Sequence, residues 1–165
     1  MLKPFAAASF VILASVGAVE VLKRTTAPKQ PAGPSAPAAQ QPRGMTVLRE
    51  DGQGHFIAST LMNGVVIQTV VDTGASLIAL SMEDAARVGI FPNPSDFRVS
   101  LATANGSISA APVRLREVRL GSIRIHDVEA VVLPAGRLKG SLLGMSFLRR
   151  LSSFQVENGS LLLRE

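Results

Sequence analysis

The chain has 165 residues, 47% of them hydrophobic, with no Cys, Trp or Tyr. That is enough for one domain of ordinary size plus a tail, and enough apolar mass for a core. The absence of Cys excludes disulfides, thiol nucleophiles and thiolate metal sites, and the net charge of +5 is unevenly spread.

Residues 1–44 carry Lys3, Lys23, Arg24, Lys29 and Arg43 against Glu20 alone, whereas residues 45–165 are nearly neutral, with twelve basic and eleven acidic side chains. The basic excess sits beside an apolar stretch, where it suits a membrane surface; a nucleic-acid partner is not expected. His55 and His126 lie far apart without ligand spacing, so no metal and no other cofactor is expected.

In chain order, residues 1–24 come first. Phe5 to Val19 is an apolar run behind Lys3, extending to Leu22 if Glu20 is tolerated. Its length lies between a signal-peptide core and a short membrane span. Val16-Gly17-Ala18 has the small residues of a cleavage site, but the run continues past it. Lys23, Arg24 and Lys29 follow the run, and counted strictly that bias would keep the rest of the chain in the cytoplasm. The expectation taken is export, with the segment either retained as an anchor or cleaved. Residues 25–44 form a linker, with Pro28, Pro31, Pro34, Pro37 and Pro42 among Ala, Gln, Gly and Ser. Such composition stays extended and cannot bury a core.

From Met45 the texture is that of short strands. Met45 to Arg49 is a first strand. His55 to Met62 and Val65 to Val71 flank Asn63-Gly64, the strongest short-range hairpin signal, because both residues accept positive φ. The second arm delivers Val70-Val71-Asp72-Thr73-Gly74-Ala75-Ser76, a strand ending in a tight turn with a carboxylate at the bend. A carboxylate fixed there can be aimed, and its apolar flank makes it a candidate for desolvation and acid–base work. Ser76 is a poor nucleophile candidate, since nothing places a His near it.

Leu77 to Leu80 reads as a buried strand. Ser81 to Asp84 resembles a capping box ahead of a short helix over Ala85 to Gly89. Phe91 to Pro94 is loop. Phe97 to Ala104 and Ser107 to Ala111 form a second hairpin around Asn105-Gly106, with a small, polar tip that should project. Val113 to Leu120 alternates apolar residues with Arg114, Arg116 and Arg119, as a half-buried strand does. Ile123 to Leu133 is a further strand, and Gly140 to Gly144 a short one. Ser146 to Leu151 is a short helix with Ser146 as its cap. Phe154 to Glu157 and Ser160 to Arg164 close the chain as a third Asn-Gly hairpin. The sum is an all-β domain, a small closed barrel with one or two short helices.

Asp-Thr-Gly-Ala-Ser after an Asn-Gly hairpin, together with Leu142-Leu143-Gly144-Met145-Ser146-Phe147-Leu148, resembles the retropepsin-type aspartic proteases, in particular the bacterial membrane-anchored, single-domain members. The resemblance covers residues 45–165. It implies an aspartic endopeptidase acting on polypeptide substrates through two carboxylates sharing one proton around a water. Asp72 would be catalytic. With one such motif per chain, the resemblance implies a homodimer supplying Asp72 twice. Thr73 would bond across the dimer axis, Gly74 would permit the bend, and Ala75 stands where pepsin-like enzymes often donate to the carboxylate. Ala102, Thr103, Ala104, Asn105 and Gly106 would form a flap tip over the substrate. Leu142, Leu143 and Gly144 would support the loop and line a subsite, and Leu161 to Leu163 would join an intersubunit sheet. The implied location is the inner membrane, single-pass through residues 1–24, with the protease domain in the periplasm. A different class stays open: a non-catalytic peptide-binding or assembly module on the same barrel. Asp-nucleophile phosphatase chemistry is rejected, because Gly74 stands where a second acid is needed.

Overall fold

The computed structural model describes residues 44–103 and 106–165. The apolar segment 1–24, and the linker 25–44 up to its last residue, lie outside them. Among the described residues no helix is long and apolar enough to cross a membrane.

Among the described residues, ten strands, two short α-helices and one 3-10 turn, Pro94–Asp96, follow one another. Strand β2 (Ile57–Met62) turns through Asn63-Gly64 into β3 (Val65–Val71). Both turn residues have positive φ, 51° and 89°, the backbone that Asn and Gly tolerate best. The Asn63 side chain does more than turn. Its Oδ1 accepts the backbone N–H of Arg116 at 2.9 Å and of Glu117 at 3.4 Å, and so straps this hairpin to β6 (Gly106–Leu120).

The strands β4 (Ile78–Leu80), β7 (Ile123–Val132) and β8 (Ser141–Leu143) complete a ring in the order β2-β3-β8-β4-β7-β6. Pairing of Leu61 with Arg119 and Met62 with Val118 closes β6 back onto β2. The ring is therefore a closed barrel, which leaves no sheet edge among these six strands. Strand β5 (Val99–Thr103) is added outside β6. A separate three-stranded sheet runs β1 (Met45–Arg49), β10 (Ser160–Arg164), β9 (Ser153–Glu157). The core between them is built on fully buried Ile67, Leu80, Leu115, Val118, Leu143 and Phe147, with Leu161 and Leu163 from β10.

Four expectations change. The hairpin arm at 107–111 and the strand at 113–120 are one continuous strand, β6. Pro112 does not break it, because Pro112 lies where β6 stops pairing with β5, at Ala110, and starts pairing with β7, at Ala111. The alternation expected for Val113 to Leu120 also switches face. Val113 and Leu115 are covered on one phase, Val118 and Leu120 on the other, and β7 bends with them at Asp127, whose φ is 52°.

Helix α2 (Met145–Leu148) is capped by Gly144, not Ser146. Ser146 Oγ accepts the N–H of Ile78 at 2.9 Å instead. Lastly, Leu161 to Leu163 lie in the central strand of their sheet, paired on both sides within one chain. They have no edge left for a partner.

Helix α1 (Met82–Arg87) starts at Ser81, whose hydroxyl accepts the Asp84 N–H at 3.2 Å. The return half of the capping box is relayed. The Ser81 N–H donates to Ser141 Oγ at 3.3 Å, and that hydroxyl donates to Asp84 Oδ2 at 2.7 Å. Arg87 closes the network on Asp84 Oδ1 at 2.8 Å. This ties the helix to β8, the neighbour of the strand that leads into Asp72.

Candidate active site

Parallel pairing of β3 with β8 sets Thr69, Val70 and Val71 beside Ser141, Leu142 and Leu143. The ladder runs one residue further, as the Asp72 N–H donates to Leu143 O at 3.1 Å. Beyond it the chain turns. The Ala75 N–H donates to Asp72 O at 3.3 Å, and the Gly74 N–H donates to the carboxylate, Asp72 Oδ1, at 2.8 Å. A donor at that distance favours one orientation of the side chain. A Cβ on Gly74 would lie 3.1 Å from the same oxygen, which is why a side chain at 74 would crowd the carboxylate.

A second loop braces the first. The Met145 N–H donates to Ala75 O at 2.8 Å. Gly144 is packed so closely that a Cβ there would be 2.7 Å from Ala75 O and nearer still to Leu77 O. Thus Gly144 supports the loop through its lack of a side chain, and Ser146 holds the residue after it. Asp72 and Ala75 are half-buried, while Thr73 and Gly74 are exposed. The carboxylate expected to be buried by its apolar flank is therefore only half-buried, at the start of an exposed turn.

Leu142 and Leu143, adjacent in sequence, face opposite ways. Leu143 is fully buried in the main core. Leu142 belongs to a second apolar cluster with buried Ala79, Ala110, Val131 and Leu133. Against that cluster pack half-buried Leu77 from the Asp72 loop, Leu138, and Leu101 and Ile108 from the β5–β6 hairpin. The structure therefore brings Leu142, the hairpin base and the end of the Asp72 loop together, and leaves Leu143 on the far side of the strand. Leu77, Leu101, Ile108 and Leu138 are absent from the sequence-derived site. The alternation in β5 and β6 marks which residues share a face, but not what that face meets.

At the hairpin tip, Ala102 and Thr103 are exposed. Thr103 Oγ1 donates to Gly106 O at 2.7 Å, and Gly106 has φ 101°. Ala104 and Asn105 lie outside the described residues. Among the described residues no group of three His, Cys, Asp or Glu side chains could hold a metal ion. His55 instead lies 3.7 Å from Asp51, and His126 3.9 Å from Glu117.

One carboxylate on a backbone-held loop can accept or donate a single proton. Activating a water and protonating a carbonyl oxygen together need a second acid. The motif occurs once in the chain.

Residues 58–150 match the family described as "gag-polyprotein putative aspartyl protease". Two curated relatives align with most of the chain. An uncharacterized protein in the cobV 5′ region of Sinorhizobium sp. is 44% identical over 119 residues, which is 72% of this chain and 51% of that protein. The uncharacterized protein RP867 of Rickettsia prowazekii (strain Madrid E) is 38% identical over 120 residues, 73% of this chain and 51% of that one. The chain thus spans about half the length of the curated relatives it matches. Among solved structures, a retropepsin-like aspartic protease from Rickettsia conorii superposes with a TM-score of 0.66 at 37% identity, over 73% of this chain and 89% of that one.

Proposed function

Because the chain belongs to the retropepsin-like aspartic protease family, we propose that it is an aspartic endopeptidase whose active unit is a homodimer. The observation that carries this reading is the Asp72 loop. Its carboxylate is oriented by the Gly74 N–H at the end of a parallel strand pair, and there is one such loop per chain.

In the dimer, two Asp72 carboxylates share one proton and hold a water. The ionised one takes a proton from that water as its oxygen bonds to the scissile carbonyl carbon. The other gives its proton to the carbonyl oxygen, forming a neutral gem-diol. Collapse of the diol returns a proton to the carboxylates and delivers one to the departing amine nitrogen. Thr73, exposed on the loop, bonds its counterpart across the dimer axis. Residues 102–106 act as the flap over a peptide bound in extended form. The Leu142 cluster, reaching from the Asp72 loop to the hairpin base, receives an apolar side chain of the substrate.

We further propose that residues 1–24 hold the domain at the inner membrane and that it works in the periplasm. Tethering raises the local concentration of chains and so favours pairing.

The test is hydrolysis of a mixed peptide pool by the full chain, wild type beside Asp72→Asn, from acidic to neutral pH. Cleavage by wild type alone supports the proposal. Equal cleavage by both would remove Asp72 from the chemistry. Binding of peptides without cleavage by a proven dimer would favour a binding module.

A further inference from the structure

The loop between β7 and β8, residues 133–140, is pinned at both ends. The Leu133 N–H donates to Leu80 O at 3.0 Å, and the Arg137 N–H donates to Pro134 O at 3.1 Å to close a turn. Gly136 and Gly140 bend the chain with φ of 74° and 80°, backbone that glycine adopts without strain. Beyond Gly140, the buried Ser141 is fixed by its bond to Asp84. Between the two glycines, half-buried Leu138 packs against the cluster of Ala79, Ala110, Val131 and Leu133, which Leu77, Leu101, Ile108 and Leu142 also join. Leu138 thus anchors the loop to the wall that runs from the Asp72 loop to the hairpin base.

The residues on either side of this anchor are Arg137 and Lys139, both exposed. Other arginines of the domain are held by acids: Arg87 by Asp84 at 2.8 Å, and Arg114 by Glu129 and Arg124 by Glu117, each at 3.2 Å. Among the described residues, neither Arg137 nor Lys139 has an acid within ion-pair distance.

Charge is otherwise missing from this wall. Residues 72–82, 99–113 and 130–144 build it. Apart from Asp72, those segments hold Arg137 and Lys139 and no other charged side chain. Residues 45–165 as a whole have twelve basic and eleven acidic side chains, so a wall whose only other charges are cations departs from the rest of the domain.

We propose that Arg137 and Lys139 select polypeptides carrying Asp or Glu close to the apolar residue that the Leu142 cluster receives. The inference rests on the protease reading and names the substrate class of that site. In an extended peptide, side chains two residues apart share a face and lie about 7 Å from one another. A carboxylate near the seated apolar side chain is then within reach of side chains as long as Arg and Lys. In a homodimer the loop occurs twice, so both halves of the substrate meet a cationic pair. Those pairs stand against the single negative charge of a dyad that shares one proton. Cations with no acid of their own attract an acidic ligand and reject a basic one. Both are exposed, so each pairing is weak and is screened by salt.

The experiment uses the full chain and three peptides that differ only in charge: a central Leu-Phe pair with two Glu, two Gln or two Lys on each side. At low ionic strength, kcat/KM should be about tenfold higher for the Glu peptide than for the Gln peptide, and lowest for the Lys peptide. Added salt should shrink these ratios. Arg137→Gln with Lys139→Gln should bring the Glu-to-Gln ratio close to one, and Arg137→Glu with Lys139→Glu should invert the order in favour of the Lys peptide. A purely structural role for the loop would lower all three rates together and leave their ratios alone. Equal rates for the three peptides in wild type, or a Glu preference that survives charge reversal, would overturn this inference and leave the protease reading standing. Fluorescence anisotropy measures binding of the same peptides to Asp72→Asn. A Glu preference in binding that charge reversal at 137 and 139 removes, with no hydrolysis by wild type, would overturn the protease reading and leave the selection by charge. No preference in either binding or hydrolysis would overturn the selection.

Discussion

Gly144 lies against the carbonyl of Leu77 with no room for a methyl group between them. The contact locks the Leu142–Gly144 segment to the loop that carries Asp72, and it is made by backbone on both sides. Neither partner can swing away as a flexible side chain could. Gly144→Ala should therefore cost more than the ~1–3 kcal/mol typical of overpacking and should depress activity with stability. Gly52→Ala, where nothing lies within 4 Å of the added Cβ, should stay within about 0.5 kcal/mol of wild type. Denaturant midpoints of the two variants check this. Equal midpoints would mean that the loops separate freely.

Ser146 acts across a distance of 68 residues in sequence. Its hydroxyl takes the N–H of Ile78, a fully buried residue that follows the Asp72 loop. Ser146→Ala leaves that N–H without an acceptor, and the expected loss is about 1–3 kcal/mol. Ser146→Thr keeps the hydroxyl and should recover most of it. Urea unfolding of the pair measures the difference. A helix cap would be a weaker role, and Gly144 already occupies that position.

The loop after β1 should respond to acid. Asp51 Oδ1 accepts the backbone N–H of His55 at 2.9 Å and of Gln53 at 2.8 Å. These bonds, the one from His55 foremost, hold the Asp51 pKa below its usual value, with the His55 ring adding a weaker pull. The charged form is thus favoured in the folded loop. Its contribution is present above the unfolded aspartate pKa of about 3.9 and is lost as pH falls through the lower folded value. Amide exchange at Gln53 and His55, corrected for intrinsic rates, should accelerate below about pH 4, and Asp51→Asn should abolish that dependence. An Asp51 carboxyl carbon titrating at or above the ordinary aspartate value would contradict it.

What was legible in the sequence was what local chemistry decides. Asn63-Gly64 and Asn158-Gly159 demand positive φ, and the hairpins sit where they were expected. The turn at Asp72 was legible for the same reason, being a β-branched strand stopped by Gly74. Non-local partners were not. Nothing near Asn63 announces that its side chain will hold the N–H groups of Arg116 and Glu117. Pro112 reads as a strand end, and only the change of neighbour from β5 to β7 explains why it is not one. Period two separates Leu142 from Leu143, but which of them meets the hairpin depends on how β8 is inserted between β3 and β4. The position of β10 at the centre of its sheet is likewise a property of pairing order.

The central claim, that catalysis needs Asp72 from two chains, is tested most directly by mixing. Wild-type and Asp72→Asn chains are combined at constant total concentration, allowed to exchange subunits, and assayed for peptide hydrolysis. With random pairing, activity should follow the square of the wild-type fraction, so an equal mixture retains about one quarter of the pure wild-type rate. A rate of about one half, linear in the wild-type fraction, would mean that each chain acts alone and would contradict the shared active site.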